Sequence, residues 1–115
     1  MYNDNCIFCK IAKGEIPSTK LYEDDNCVII KDLNPQAPVH LLLIPKDHYA
    51  NICEMSDEQA KTLAACVKNL SQHVDELGLQ DGFRLVSNKG ENGCQSVNHL
   101  HIHILGGKKL DDRMC

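Results

Sequence analysis

The chain has 115 residues, of which 43% are hydrophobic and 24% charged, and it carries a formal net charge of -4. That length suits one domain with one core, expected here to span residues 1–115, and the composition is that of a folded globular protein rather than a disordered one. No apolar run approaches the roughly 18 residues of a membrane span, and Met1-Tyr2-Asn3-Asp4-Asn5 lacks a secretory pattern. No basic cluster exceeds Lys108-Lys109, so a membrane protein, an exported protein and a binder of duplex nucleic acid are set aside. Seven cysteines, an odd number with no export signal, read as reduced thiols in the cytoplasm, where a close pair points to metal.

In chain order, Cys6 to Lys13 reads as a short helical segment ended by Gly14 and the extended Ile16-Pro17 pair. Strands are expected at Lys20 to Glu23 and Cys27 to Leu33, on either side of the turn Asp24-Asp25-Asn26, followed by a loop over Asn34 to Pro38. Val39 to Pro45 is nearly continuous in apolar residues, the pattern of a central strand covered on both faces. A long helix is expected from Ser56 to Leu77, about 33 Å, with Ser56 and Gln59 as a capping box and Gly78 closing it. Its apolar stripe is Ala60, Leu63, Ala64, Val67, Leu70, Val74 and Leu77. Phe83 to Ser87 reads as a strand, Asn88 to Gln95 as a polar loop containing glycine, and His99 to Leu105 as a final strand. An α+β fold follows, an antiparallel sheet of about five strands with one helix across a face.

The last strand carries the strongest chemical signal. Side chains alternate along a strand, so His99, His101 and His103 share one face while Leu100, Ile102 and Ile104 point to the core. One histidine there would read as a solvated outer face; three in five residues do not. Two chemistries suit the row: a neutral imidazole as nucleophile with its neighbours orienting it, or histidines binding a catalytic metal. The loop over residues 88–97 adds backbone amides, an Asn side chain and a Ser hydroxyl beside the row, as a phosphate cradle would, although such loops are more often plain turns. Cys6-x-x-Cys9 alone is a weak metal signal. His73 lies off the apolar stripe and is expected to be solvated. Cys66 reads as helix packing, Cys27 and Cys53 as small apolar side chains, and Cys115 as a mobile terminal thiol.

Taken together, Cys6-Ile7-Phe8-Cys9, Gly14-Glu15-Ile16-Pro17, Asp32-Leu33-Asn34-Pro35-Gln36-Ala37-Pro38-Val39-His40, Ile44-Pro45-Lys46-Asp47-His48 and Gln95-Ser96-Val97-Asn98-His99-Leu100-His101-Ile102-His103-Ile104-Leu105-Gly106-Gly107 resemble the histidine triad (HIT) family, and within it the Hint branch of nucleoside phosphoramidases. The resemblance implies a five-stranded antiparallel sheet with one long helix and a short N-terminal helix. It implies hydrolysis of purine nucleoside 5'-phosphoramidates, adenosine preferred, with release of the nucleoside monophosphate. His101 would be the nucleophile and become transiently nucleotidylated, and His103 would contact phosphate. His99 and His40 would complete the imidazole cluster, and Ser96 would lie near the departing amine. Asn88, Cys94 and Val97 would hold the phosphate, and Asp32 the ribose hydroxyls. Phe8, Ile16, Val28 and Ile30 would wall the base. Because an imidazole must be unprotonated to attack, activity should decline below about pH 6.5.

Bacterial relatives carry Cys-Cys-His-His as a zinc site, which places Cys6, Cys9, His48 and His99 around one structural zinc with no open position. A ligand role for His99 leaves His101 and His103 as the catalytic pair. Two departures stand out: Cys94 replaces a usual glycine, and Asn98 a usual aromatic. Lys108 to Cys115 also lacks the tryptophan-containing tail of animal relatives. Relatives are homodimers, and Leu63 or Leu70 would meet a partner. Rival readings are a dinucleoside polyphosphate hydrolase, a nucleotide-binding scaffold with vestigial activity, and a metalloenzyme using the triad as ligands.

Overall fold

The computed structural model describes residues 3–113, so the expectation for Cys115 lies outside the described residues. Its elements are α1 (Ile7–Lys13), β1 (Lys20–Glu23), β2 (Cys27–Lys31), β3 (Val39–Pro45), α2 (Asp57–Ser71), β4 (Phe83–Val86) and β5 (Ile102–Gly106). The five strands form one sheet in the order β1-β2-β3-β5-β4, every neighbouring pair antiparallel. The apolar run of β3 occupies the centre, where both faces must be covered.

Strand alternation sorts the apolar side chains into two clusters rather than the single core expected. Cys27, Ile29, Leu41, Leu43, Ile102 and Ile104 face α2 and pack with Cys66, Leu70 and Leu79. Val28, Ile30, Leu42 and Ile44 face the other way and pack with Phe8, Cys9, Ile11 and Ala12 of α1. The short N-terminal helix is therefore a second covering layer, and the histidines lie on its side of the sheet.

Three expected boundaries move by two residues or more, while β4 ends one residue early at Val86 and β5 one residue late at Gly106. β2 ends at Lys31 rather than Leu33, because the Asp32 carboxylate turns back to accept the Asn34 amide at 2.8 Å. α2 begins at the expected capping box, with Ser56 and Gln59 bonding each other's backbone amides, but it ends at Ser71, about 22 Å long. The Ser71 hydroxyl donates to the Lys68 carbonyl at 2.6 Å, a local bond that competes with helix continuation. A separate turn follows and closes at Gly78, φ +77°, with the Leu79 amide reaching the Val74 carbonyl. Val74 and Leu77 still pack on the core from this turn, which is why the periodicity runs through the break. Within α2 the buried positions are Cys66 and Leu70, and Ala64, assigned to the stripe, is exposed.

The last strand starts at Ile102, not His99. The β3–β5 ladder stops at the Leu43–Ile102 pair. Beyond it Pro45 has no amide hydrogen, and its carbonyl accepts the His99 side chain at 2.7 Å. Alternation nonetheless persists, since Leu100, Ile102 and Ile104 are all buried against α2. His73 is half-buried rather than solvated, its ring 4.8 Å from that of Tyr22. Tyr22 and Asn69 both donate to the Asp24 carboxylate, tying the β1–β2 hairpin to α2. No helix among the described residues is long and apolar enough to cross a membrane.

Candidate active site and metal centre

Four elements converge on the α1 side of the sheet. β3 supplies His40, β5 supplies His103, the extended segment before β5 supplies His99 and His101, and the end of β2 supplies Asp32. Antiparallel register sets His40 opposite Leu105 and His103 opposite Leu42, so the two imidazoles are diagonal neighbours with ring centroids 5.2 Å apart. His101 and His103 rings lie 5.1 Å apart, and the Phe8 ring of α1 stands edge-on to His101 at 4.9 Å.

Backbone groups fix the tautomers. A carbonyl can only accept, so the 2.8 Å contact of His101 Nδ1 with the His99 carbonyl places the hydrogen on Nδ1 and leaves Nε2 a free lone pair. The Gln36 amide donates to His40 Nδ1 at 2.9 Å, so the neutral ring carries its hydrogen on Nε2. That N–H faces His103 Nδ1 at 2.9 Å and Asp32 Oδ2 at 3.2 Å. With His103 Nδ1 as acceptor, its Nε2 becomes a donor. Burial, then the neighbouring His101 and His40, holds the His103 pKa below the usual histidine value, against the pull of Asp32. Asp32, His40 and His103 cluster tightly enough to suggest a metal, but His40 does not fit one: an ion on Nε2 would leave Nδ1 needing a hydrogen where the Gln36 amide already points one.

The other cluster does fit. Cys6 Sγ lies 3.3 Å from His99 Nδ1, Cys9 Sγ lies 3.4 Å from His99 Nδ1 and 3.2 Å from His48 Nδ1, and the two Nδ1 atoms are 3.1 Å apart. Ligand atoms sharing one tetrahedral Zn²⁺ are separated by about 3.3–3.8 Å, close to these values. His99 Nε2–H donates to the Pro45 carbonyl, which turns the Nδ1 lone pair toward both sulfurs, the usual outer-sphere arrangement of a metal-bound imidazole. Burial, outweighing the Pro45 bond, pushes the His99 pKa down to about 4 and keeps the ring neutral. Cys6 caps α1, its sulfur accepting the Cys9 amide at 3.4 Å, so the Cys-x-x-Cys spacing places both sulfurs on the first turn. Two thiolates and two imidazoles would hold zinc in a closed structural role. Both nitrogens of His99 are engaged, leaving none for acid–base work.

The other expected site residues are distributed unevenly. Val28 and Ile30 are sealed in the sheet core at 0% and 4% exposure, and Phe8 is buried, whereas Ile16 and Val97 are half-buried at the edge of that cluster. Asn88 is half-buried and Ser96 exposed. Ser96 lines a cavity of about 400 Å³ with Ile7, Val97, Cys6 and His48. Asp32 and His40 border a separate cavity of about 570 Å³ that extends toward Tyr22 and His73. Cys94 sits in the left-handed region, φ +58°, which explains why glycine suits that position. Gln95, missed as a site residue, organises the loop: its side chain accepts the Gly90 amide and donates to the Ala50 and Val97 carbonyls. Gln36 and Pro45 were also missed, because they act through backbone atoms that have no side-chain signature. Ile7 and Leu33, flanking Phe8 and Asp32 in sequence, are exposed at 49% and 100%.

Comparison with known proteins identifies the family. The HIT domain family matches residues 13–110, and the chain belongs to that family. A histidine triad protein from Clostridium difficile superposes with a TM-score of 0.92 at 47% identity, covering 97% of this chain and 98% of that one. A HIT family hydrolase from Legionella pneumophila gives a TM-score of 0.88 at 44% identity over 95% and 98% of the two chains. A 14 kDa zinc-binding protein of Zea mays is 42% identical over 91% of this chain and 84% of its own length.

Proposed function

We propose that this single HIT domain is a cytoplasmic hydrolase of purine nucleoside 5'-phosphoramidates, adenosine preferred, working through a nucleotidyl intermediate on His101. The observation that carries the reading is the His101 tautomer: Nδ1–H held by a carbonyl and Nε2 bare, the form a neutral imidazole needs to attack phosphorus. Nε2 attacks the α-phosphorus as the phosphorus–nitrogen bond to the amine breaks, the amine departs with a proton taken from solvent, and water then cleaves the His101–phosphorus bond, releasing the nucleoside monophosphate and restoring the neutral imidazole. His103 Nε2–H donates to a phosphoryl oxygen, and the His40 relay from Gln36 holds it in that role. Asp32 receives the ribose hydroxyls, and the Asn88–Val97 loop with Ser96 receives the phosphate and amine side. Exposed Ile7 and Leu33 with Ile16 supply the accessible apolar wall for the base, backed by buried Phe8, Val28 and Ile30. Kinship with a protein described as a HIT family hydrolase supports the class.

Zinc at Cys6, Cys9, His48 and His99 is part of the proposal, supported by the cluster geometry and the zinc-binding maize relative. A homodimer is supported by the outer strand β4, whose Phe83 and Leu85 are about two-fifths exposed on the α2 side. Leu63 of α2 is half-buried and available to a partner, whereas Leu70, at 2% exposure, is already consumed by the core.

The test is release of AMP from adenosine 5'-phosphoramidate, with a dinucleoside polyphosphate run in parallel. Turnover of the phosphoramidate by wild type and its loss in His101→Ala are expected. Preference for the polyphosphate would move the assignment to that branch, and wild-type turnover equal to His101→Ala would leave a binding role.

A further inference from the structure

One residue serves both clusters. The His99 side chain belongs to the Cys6–Cys9–His48 centre, and the His99 carbonyl, 2.8 Å from His101 Nδ1, decides which nitrogen of His101 is bare. A second link runs through α1. Cys6 caps the helix whose Phe8 ring packs edge-on against His101 at 4.9 Å and lies 6.1 Å from His99. A third clamp holds the neighbouring residues, the Leu100 amide donating to the Tyr49 carbonyl at 2.7 Å beside His48. By contrast, the His40–His103 pair hangs from the Gln36 amide and makes no contact with the four ligands among the bonds described.

We infer that metal occupancy of the Cys6–Cys9–His48–His99 centre positions the nucleophile, by fixing the His99 carbonyl that sets the tautomer and orientation of His101. Zinc supplies no step of the reaction there. Its ligands act as positioning residues, and the site couples the metal supply to hydrolysis. The consequence for turnover rests on the proposed role of His101, but the effect on the ring does not.

The experiment follows the imidazole nitrogens of the full-length ¹⁵N-labelled protein by long-range ¹H–¹⁵N NMR, zinc-loaded, chelated under reducing conditions, and reloaded. The loaded protein is expected to show His101 as a single Nδ1–H tautomer. The chelated protein is expected to show both tautomers of His101 with the Nε2–H pattern of His40 unchanged, and zinc to restore the first state. His48→Asn, which removes a ligand while leaving the residues and backbone bonds of the 99–101 segment unsubstituted, should reproduce the chelated His101 pattern and lower kcat about tenfold with KM nearly unchanged. An unaltered His101 pattern on chelation overturns the inference. So does simultaneous loss of the His40 and His101 patterns, the mark of a centre that only holds the fold. A tautomer change in a protein that turns over no phosphoramidate would leave the inference standing and sink the proposed substrate.

Discussion

Gly107 to Ala is the substitution whose cost the structure sets most sharply, because two separate penalties meet there. Gly107 has φ +84°, a region an alanine enters at about 1–2 kcal/mol, partly offset by a lower entropy of the unfolded chain. An added Cβ would also lie 3.0 Å from Pro38 Cβ, Val39 Cγ2 and the Val39 amide nitrogen. Such overlap with backbone costs about 1–3 kcal/mol more, since β3 cannot retreat without disturbing its neighbours. Gly90 is the control: φ is +72°, yet nothing lies within 4 Å of its virtual Cβ. Gly90→Ala should therefore cost about 1 kcal/mol or less, and Gly107→Ala about 2–4 kcal/mol. The difference isolates the contact with β3. Urea denaturation of both variants and wild type, in zinc and at equal concentration, measures it. Equal losses at the two positions would refute the reasoning. Because Val39 precedes His40, Gly107→Ala should also depress turnover where Gly90→Ala acts only through the loop.

Three further outcomes follow from other features. Cys94→Gly removes a left-handed cysteine that is exposed, so stability should hold or rise by up to about 1 kcal/mol in thermal or urea unfolding; a loss above that would show that the thiol packs productively. In the chelated protein the His99 pKa of about 4 lies below its unfolded value of about 6.5, so the unfolded chain takes the proton first. Stability is thus full above pH 6.5 and falls by up to about 3 kcal/mol as pH drops toward 4, with His103 adding in the same direction. A urea midpoint unchanged between pH 7 and pH 4.5 would contradict this. Leu85→Glu places a charge on the β4 edge and should convert a sedimenting dimer to monomer at micromolar concentration with little loss of monomer fold; a wild-type monomer would remove the dimer.

The sheet was legible because each strand follows one periodicity and faces one kind of neighbour. β3 shows this best: seven residues with no alternation in polarity occupy the centre and are covered on both sides. The long helix was overrun because Val74 and Leu77 keep the apolar spacing although the Ser71 hydroxyl has already ended the hydrogen-bonded spiral. For β5 the side-chain alternation was right and the ladder wrong, since pairing depends on the partner strand, where Pro45 interrupts it. The imidazole row and the Cys-x-x-Cys pair were visible as spacing. Their division of labour came from the family resemblance rather than from spacing, and their tautomers from neither, because these are set by the Gln36 amide and the carbonyls of Pro45 and His99. The sealing of Val28 likewise depends on α1, which only the tertiary structure lays over β2.

Hydrolysis by the proposed route requires His101 Nε2 to form the covalent bond to phosphorus. Rapid acid-free quenching of the enzyme with adenosine 5'-phosphoramidate, followed by peptide mass spectrometry, reads that bond directly. One adenylyl group is expected on His101 in wild type, formed and lost at rates compatible with turnover, and none in His101→Ala, which should be inactive. An adenylyl group on another residue, or undiminished AMP release by His101→Ala, would contradict it.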